Sequence, residues 1–214
     1  MANIRDYEIL NSLPAAPLDT DVLVSAFANY ASPHDKVSQL VRQGLLQRIR
    51  RGLYVTSLSN RYPAESRLLV ANHLYGPSYI SLETALSRYG FIPEHVYAVQ
   101  SMSTKRSRSF STVFGQYDYF SCPRSYYSAG IVSQAEGEGT IVIASPEKAV
   151  ADVVVGAKGI RLQSSKAMRI FLEEDIRIDR GDLAGLDKGL LQSIADRGYK
   201  KRELELLLSV VRGG

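Results

Sequence analysis

An α/β (α+β) fold in two parts, a small N-terminal domain at 1–58 and a mixed α/β domain with a C-terminal helical portion at 63–214, is predicted by three observations. Apolar residues recur at helical spacing through the first 43 residues, and a glycine-tipped pair of short β-prone runs follows at 46–55. From 95 to 144 the texture changes to aromatic and β-branched runs punctuated by glycine and serine, before helical spacing returns.

The N-terminal elements follow in order. Ile4, Tyr7, Ile9 and Leu10 predict a first helix ending near Pro14, and Asp19 or Thr20 can cap a second that carries Val22, Leu23, Ala26 and Phe27. Tyr30-Ala31 is the turn before a third helix. Ser32, Pro33 and Asp35 form its start: an N-cap hydroxyl, a proline at the first helical position where no N–H is needed, and an acid in the capping-box position. Val37, Leu40 and Val41 fall on one face of that helix, leaving His34, Lys36, Ser38, Gln39 and Arg42 elsewhere, and Gly44 supplies the left-handed residue that ends it. Leu46–Ile49 and Leu53–Val55 then flank Arg50-Arg51-Gly52, a turn with glycine where positive φ is cheap. Three helices followed by such a ribbon make a winged helix-turn-helix.

Charge gives this module a partner. Between residues 33 and 55 the basic side chains are Lys36, Arg42, Arg48, Arg50 and Arg51 and the acid is Asp35, whereas the whole chain carries 26 basic against 22 acidic residues. Guanidinium forks suit phosphate and guanine edges, so the expected partner is double-stranded operator DNA. With the third helix in the major groove, Arg48, Arg50 and Arg51 are expected to hold the backbone or a minor groove. Arg42 and Lys36 are expected to grip phosphate, and Ser38 and Gln39 to read base edges. His34 and the basic loop Lys105, Arg106 and Arg108 are secondary candidates, the loop facing either phosphate or the acidic surface of a protein partner.

Downstream, polar residues at 56–62 predict a linker and Pro63 opens a helix stopped by Gly76-Pro77. Leu82, Ala85, Leu86 and Tyr89 mark another, stopped by Gly90. HVYAVQ, STVFG, QYDYFS, GIVSQ and TIVIA read as strands, with the basic loop after a strand at 97–100. The last strand runs into Ser145-Pro146-Glu147, a second cap-plus-proline start, with Ala149, Val150, Val153 and Val154 facing inward. Apolar spacing at Met168, Phe171 and Leu172, then at 183–194 and 204–211, predicts the helical end of the domain.

Four segments in this order resemble a known family. LVRQGLLQRIRRGLYV (40–55), GPSYISLETALSRYGFIPE (76–94), VYAVQSMSTKR (96–106) and IASPEKAVADVV (143–154) are similar to the corresponding elements of AbiEi-type antitoxins of abortive-infection type IV toxin–antitoxin systems, over residues 20–155. The resemblance implies a transcriptional regulator that represses its own operon and antagonises a cognate nucleotidyltransferase-like toxin. The C-terminal helices match by type only. Two other readings stand beside it: a stand-alone winged-helix regulator whose second domain binds an effector or forms a homodimer, and a protein-interaction module without DNA binding.

Enzymatic chemistry finds little footing. His34, His73 and His95 form no metal-ligand spacing, and there is no GxxxxGK[ST] and no GxGxxG after a strand, so no cofactor, metal or nucleotide is expected. Glu147, Lys148 and Asp152 read as an acid favoured at a helix start and an i, i+4 ion pair rather than a nuclease site. The single Cys122 excludes an internal disulfide. With no charged-then-apolar leader and no run near the roughly 20 apolar residues of a membrane helix, a cytoplasmic protein is expected.

Overall fold

The computed structural model describes residues 4–14, 16–57, 66–94, 96–137 and 139–213. It has a mixed α/β architecture with a three-stranded and a six-stranded sheet, in two compact units. The first comprises Met1–Gly76 with Ser111–Gly115 and Ala135–Ile141, and the second Pro77–Phe110, Gln116–Gln134 and Val142–Gly214. The expected linker residues 58–62, the helix start at Pro63, and His95 lie outside the described residues.

The first unit runs α1 (Ile4–Ser12), β1 (Leu18–Asp19), α2 (Thr20–Ala26), α3 (Pro33–Arg42), β2 (Leu46–Arg50), β3 (Leu53–Thr56) and α4 (Ser66–Leu74). Leu10, Leu18, Leu23, Phe27, Val37, Leu40 and Leu46 form one buried cluster, which accounts for the regular helical spacing of apolar residues in the sequence. Gly44 and Gly52 both adopt positive φ, at +75° and +84°, ending α3 and turning the hairpin. The sequence reading missed β1: two residues are too short for any alternation to appear. It pairs antiparallel with β3, Leu18 opposite Tyr54 and Asp19 opposite Leu53, giving strand order β1-β3-β2.

One cap differs from expectation. Ser32 is the N-cap of α3 and Pro33 its first residue, but the Ser32 hydroxyl makes no capping bond to the backbone. It donates to Asp35 Oδ2 at 2.6 Å, because the carboxylate one turn on is the stronger acceptor.

Along the chain, β4 (Ser78–Ile80), α5 (Leu82–Arg88), β5 (Val99–Ser103), β6 (Arg108–Thr112), β7 (Gly115–Ser121), α6 (Arg124–Tyr127), β8 (Ile131–Glu136) and β9 (Gly139–Ala144) precede α7 (Pro146–Gly156), all in the second unit except the parts of β6, β7, β8 and β9 within 111–115 and 135–141. The sheet order is β6-β7-β5-β4-β9-β8, with β4 antiparallel to β5 but parallel to β9, and β5 parallel to β7. The expected strand at 97–100 therefore begins later, at Val99. The segment 111–115, expected as one strand, instead ends β6, turns, and starts β7. Thr112 makes that turn: its Oγ1 accepts from the Phe114 N–H at 3.1 Å and donates to the Gly115 carbonyl at 3.3 Å.

Ser145 caps α7 as expected, accepting from the Lys148 N–H. Residues 148–155 of α7 are all buried, so this helix is packed on every side. After it come α8 (Ser165–Ile170), a π-helical turn (Phe171–Asp175), α9 (Arg180–Gly185), α10 (Lys188–Ala195) and α11 (Lys201–Arg212). Among the described residues no helix is long and apolar enough to cross a membrane.

Candidate nucleic-acid interface

The outward face of α3 carries His34, Ser38 and Arg42 at i, i+4 and i+8, all exposed, with Gln39 partly exposed beside them. At 1.5 Å rise per residue this row is about 12 Å long, close to the width of a major groove. Ser38 Oγ donates to the His34 carbonyl at 3.1 Å and Arg42 Nε to the Ser38 carbonyl at 3.4 Å, so the row is held along its own helix. An open depression of about 520 Å³ borders the Arg42 end of this row, lined by residues that include Tyr30, Asp35, Lys36, Gln39 and Arg42.

Lys36 departs from its expected role. It is 8% exposed, its Nζ lies 2.8 Å from Asp6 Oδ2, and it sits 4.8 Å from the centre of the Tyr30 ring. Tyr30 completes the group by donating its hydroxyl to Asp6 Oδ1 at 2.7 Å. Lys36 therefore ties α3 to α1, with its charge met by Asp6 instead of standing free on the outward row. The reason is positional: Lys36 lies one turn before Leu40 and beside Val37, at the margin of the apolar stripe, where a long aliphatic stem packs and its ammonium needs a buried acceptor.

The ribbon keeps its guanidinium groups outward. Arg48, Arg50 and Arg51 are exposed, and Arg50 makes one bond, from Nη1 to the Arg51 carbonyl at 3.3 Å. Pairing with β3 shifts register between Arg48 and Arg50, a bulge that re-aims the strand next to the tip. The Thr20 N–H donates to the Gly52 carbonyl at 3.0 Å and the Ser57 N–H to the Leu45 carbonyl at 2.9 Å, so the hairpin is tethered at tip and base. With Lys36 paired to Asp6, the exposed charges of α3 and the ribbon are the guanidinium groups of Arg42, Arg48, Arg50 and Arg51 and the carboxylate of Asp35.

The secondary basic residues belong to the second unit. Lys105 and Arg106 are exposed between β5 and β6, and Arg108 opens β6 with its guanidinium carbon 4.9 Å from the Phe110 ring centre.

Lys148 and Asp152 form the expected i, i+4 pair, 3.5 Å apart, but both are fully buried within a larger polar cluster whose other members the sequence did not reveal. Asp152 accepts from Ser81 Oγ at 2.6 Å and Tyr126 Oη at 2.7 Å, while Lys148 Nζ donates to the Tyr126 carbonyl at 2.9 Å. Burial pushes the Asp152 carboxyl up despite the opposing pull of Lys148, and pushes Lys148 down despite Asp152. It also raises the neighbouring Cys122 thiol to about 11 and the Tyr126 hydroxyl well above its ordinary value. Solvent does not reach the pair, which acts as an internal strut. The signal for it was present: Lys148 and Asp152 are the two charged residues in an otherwise apolar run from Lys148 to Val155, on either side of Ala149, Val150 and Ala151.

No family model matches this sequence, and no curated protein matches it. Among solved structures, the RV2827C protein from Mycobacterium tuberculosis is similar, with a TM-score of 0.50 and 13% identity over 95% of this chain and 79% of that one. That likeness extends to the fold.

Proposed function

We propose that this chain is a sequence-specific DNA-binding regulator that acts by occupancy rather than turnover. The observation that carries the reading is the exposed His34–Ser38–Arg42 row beside a tethered ribbon presenting Arg48, Arg50 and Arg51. In this reading α3 enters the major groove, where Ser38 and Gln39 face base edges and Arg42 a phosphate, and the ribbon arginines hold the adjacent backbone or minor groove. His34, Lys105, Arg106 and Arg108 are secondary DNA-facing residues. Lys36 touches no DNA; it sets the pose of α3.

Electrophoretic mobility shift of DNA from upstream of the chain's own reading frame, at several salt concentrations, tests the reading. Arg50→Ala with Arg51→Ala should weaken binding about tenfold or more and reduce the slope of log K against log salt by up to ~1.8, about 0.9 for each phosphate left without its arginine. Unchanged affinity and slope would remove the ribbon from the mechanism.

The resemblance of the four segments to AbiEi-type antitoxins extends the proposal: the regulated operon is the chain's own, and the second unit opposes a nucleotidyltransferase-like toxin encoded beside it. Co-expression with a neighbouring nucleotidyltransferase, scored as restored growth, tests that extension separately from DNA binding.

A further inference from the structure

A cavity of about 370 Å³ opens in the second unit, walled by residues from the start of α5, the segment before β5, and the end of the π-helical turn. Three carboxylates line it, Glu83, Glu94 and Asp175, and no Lys or Arg stands among the described lining residues. This is unusual in a chain of net charge +4. Glu94 is offset from outside the cavity by an ion pair with Arg177. Glu83 has a neutral neighbour instead: Gln100 Nε2 donates to its Oε2 at 3.2 Å, and Gln100 Oε1 accepts from its backbone N–H at 3.0 Å. Glu83, Gln100 and Ile176 also wall a second, adjoining lobe of about 220 Å³, whose further walls include Leu82, Phe120, Val153 and Phe171.

The two lobes differ in chemistry and share a boundary. Carboxylates at one end favour a cation, and desolvated hydrocarbon at the other favours an apolar body. A bare metal ion would leave the second lobe unused, and a neutral hydrocarbon would strip water from carboxylates without replacing it. The combined space lies within the range of small-molecule sites.

Local backbone geometry shapes these walls. Leu82 holds φ at +55° and Arg177 at +67°, in the region that side-chain-bearing residues rarely adopt. The Ile176 N–H reaches back to the Phe171 carbonyl at 2.9 Å, so one extra residue enters the turn and Phe171, Asp175 and Ile176 all reach the cavity walls.

We propose that this two-lobed cavity binds a small organic cation, an ammonium or amidinium on an aryl or alkyl body, with its charge at Glu83 and Asp175 and its body in the lobe of Phe120, Val153 and Phe171. The proposal goes beyond DNA recognition and does not depend on it.

Isothermal titration of the full chain, without DNA and at low salt, tests it with three probes of matched shape: benzylammonium, benzyl alcohol and benzoate. Benzylammonium should saturate one site about tenfold more tightly than benzyl alcohol, and benzoate should not bind. Glu83→Gln and Asp175→Asn should each weaken benzylammonium at least about fivefold. Asp175 is exposed, so its variant keeps the fold, which an unchanged melting temperature verifies. Equal affinity for the three probes, no binding of benzylammonium, or undiminished binding by both carboxylate variants would overturn the proposal. So would tighter binding of acetyl-arginine amide than of benzylammonium, which would reassign the cavity to a side chain of a protein partner.

Discussion

Lys36 and Lys148 are both buried lysines paired with aspartate, yet their surroundings differ. Lys36 meets Asp6, thirty positions away, at 2.8 Å, and its side chain keeps 9% of its surface open to solvent. Lys148 meets Asp152 within its own helix at 3.5 Å, keeps none, and lies with its ammonium 3.0 Å from the centre of the Tyr126 ring. The first pair joins two helices at the rim of a small core. The second puts both charges on α7 and anchors them to Ser81 and Tyr126 on other elements. Sequence separation is therefore a poor guide to what an ion pair does: the distant pair is the less buried, and the local one is the strut.

The largest expected effect comes from breaking the second pair on one side. Asp152→Asn leaves a sealed ammonium without its counter-charge and should cost about 3–5 kcal/mol, read as a shift in the urea midpoint. The pH response of that variant sharpens the point. Burial holds Lys148 below its ordinary 10.5 and Asp152 opposes that shift, so removing Asp152 lowers it further. The unfolded chain then binds the extra proton, and the variant should gain stability as pH rises from about 7 to 10. A flat response would show the ammonium to be solvated. Next in size is the comparison with both charges removed: Lys148→Met with Asp152→Leu should cost less than Asp152→Asn alone, because neither residue leaves an unpaired charge behind.

The smallest effect is expected at the rim. Asp6→Asn leaves Lys36 a route to water and should cost about 1–3 kcal/mol. DNA affinity should fall through the pose of α3 while the salt slope stays that of the unaltered chain, since every phosphate keeps its partner. A slope change equal to that of the ribbon variant would return Lys36 to the phosphate backbone.

What could be read in the sequence was what depends on neighbours. Ser145-Pro146 at the start of α7, Gly44 after α3 and Gly52 in the hairpin each act within a few residues, and each is where the spacing put it. Positions decided by distant partners were not legible. Asp6 as the acceptor for Lys36 is one; the pairing of Leu18 and Asp19 with Tyr54 and Leu53, which makes Leu18–Asp19 a strand, is another. The cavity combines both limits, since Glu83, Glu94 and Asp175 are ordinary surface acids until the sheet and the π-helical turn bring them together.

The hairpin's three restraints, the β1 pairing, the Thr20 bond to Gly52 and the Ser57 bond to Leu45, have a thermodynamic corollary. A ribbon already fixed in the free protein has little mobility left to surrender on encounter, so exchanging its tip side chains should retune target preference while leaving the melting behaviour of the protein alone. Such a module can acquire new binding sequences without refolding its scaffold.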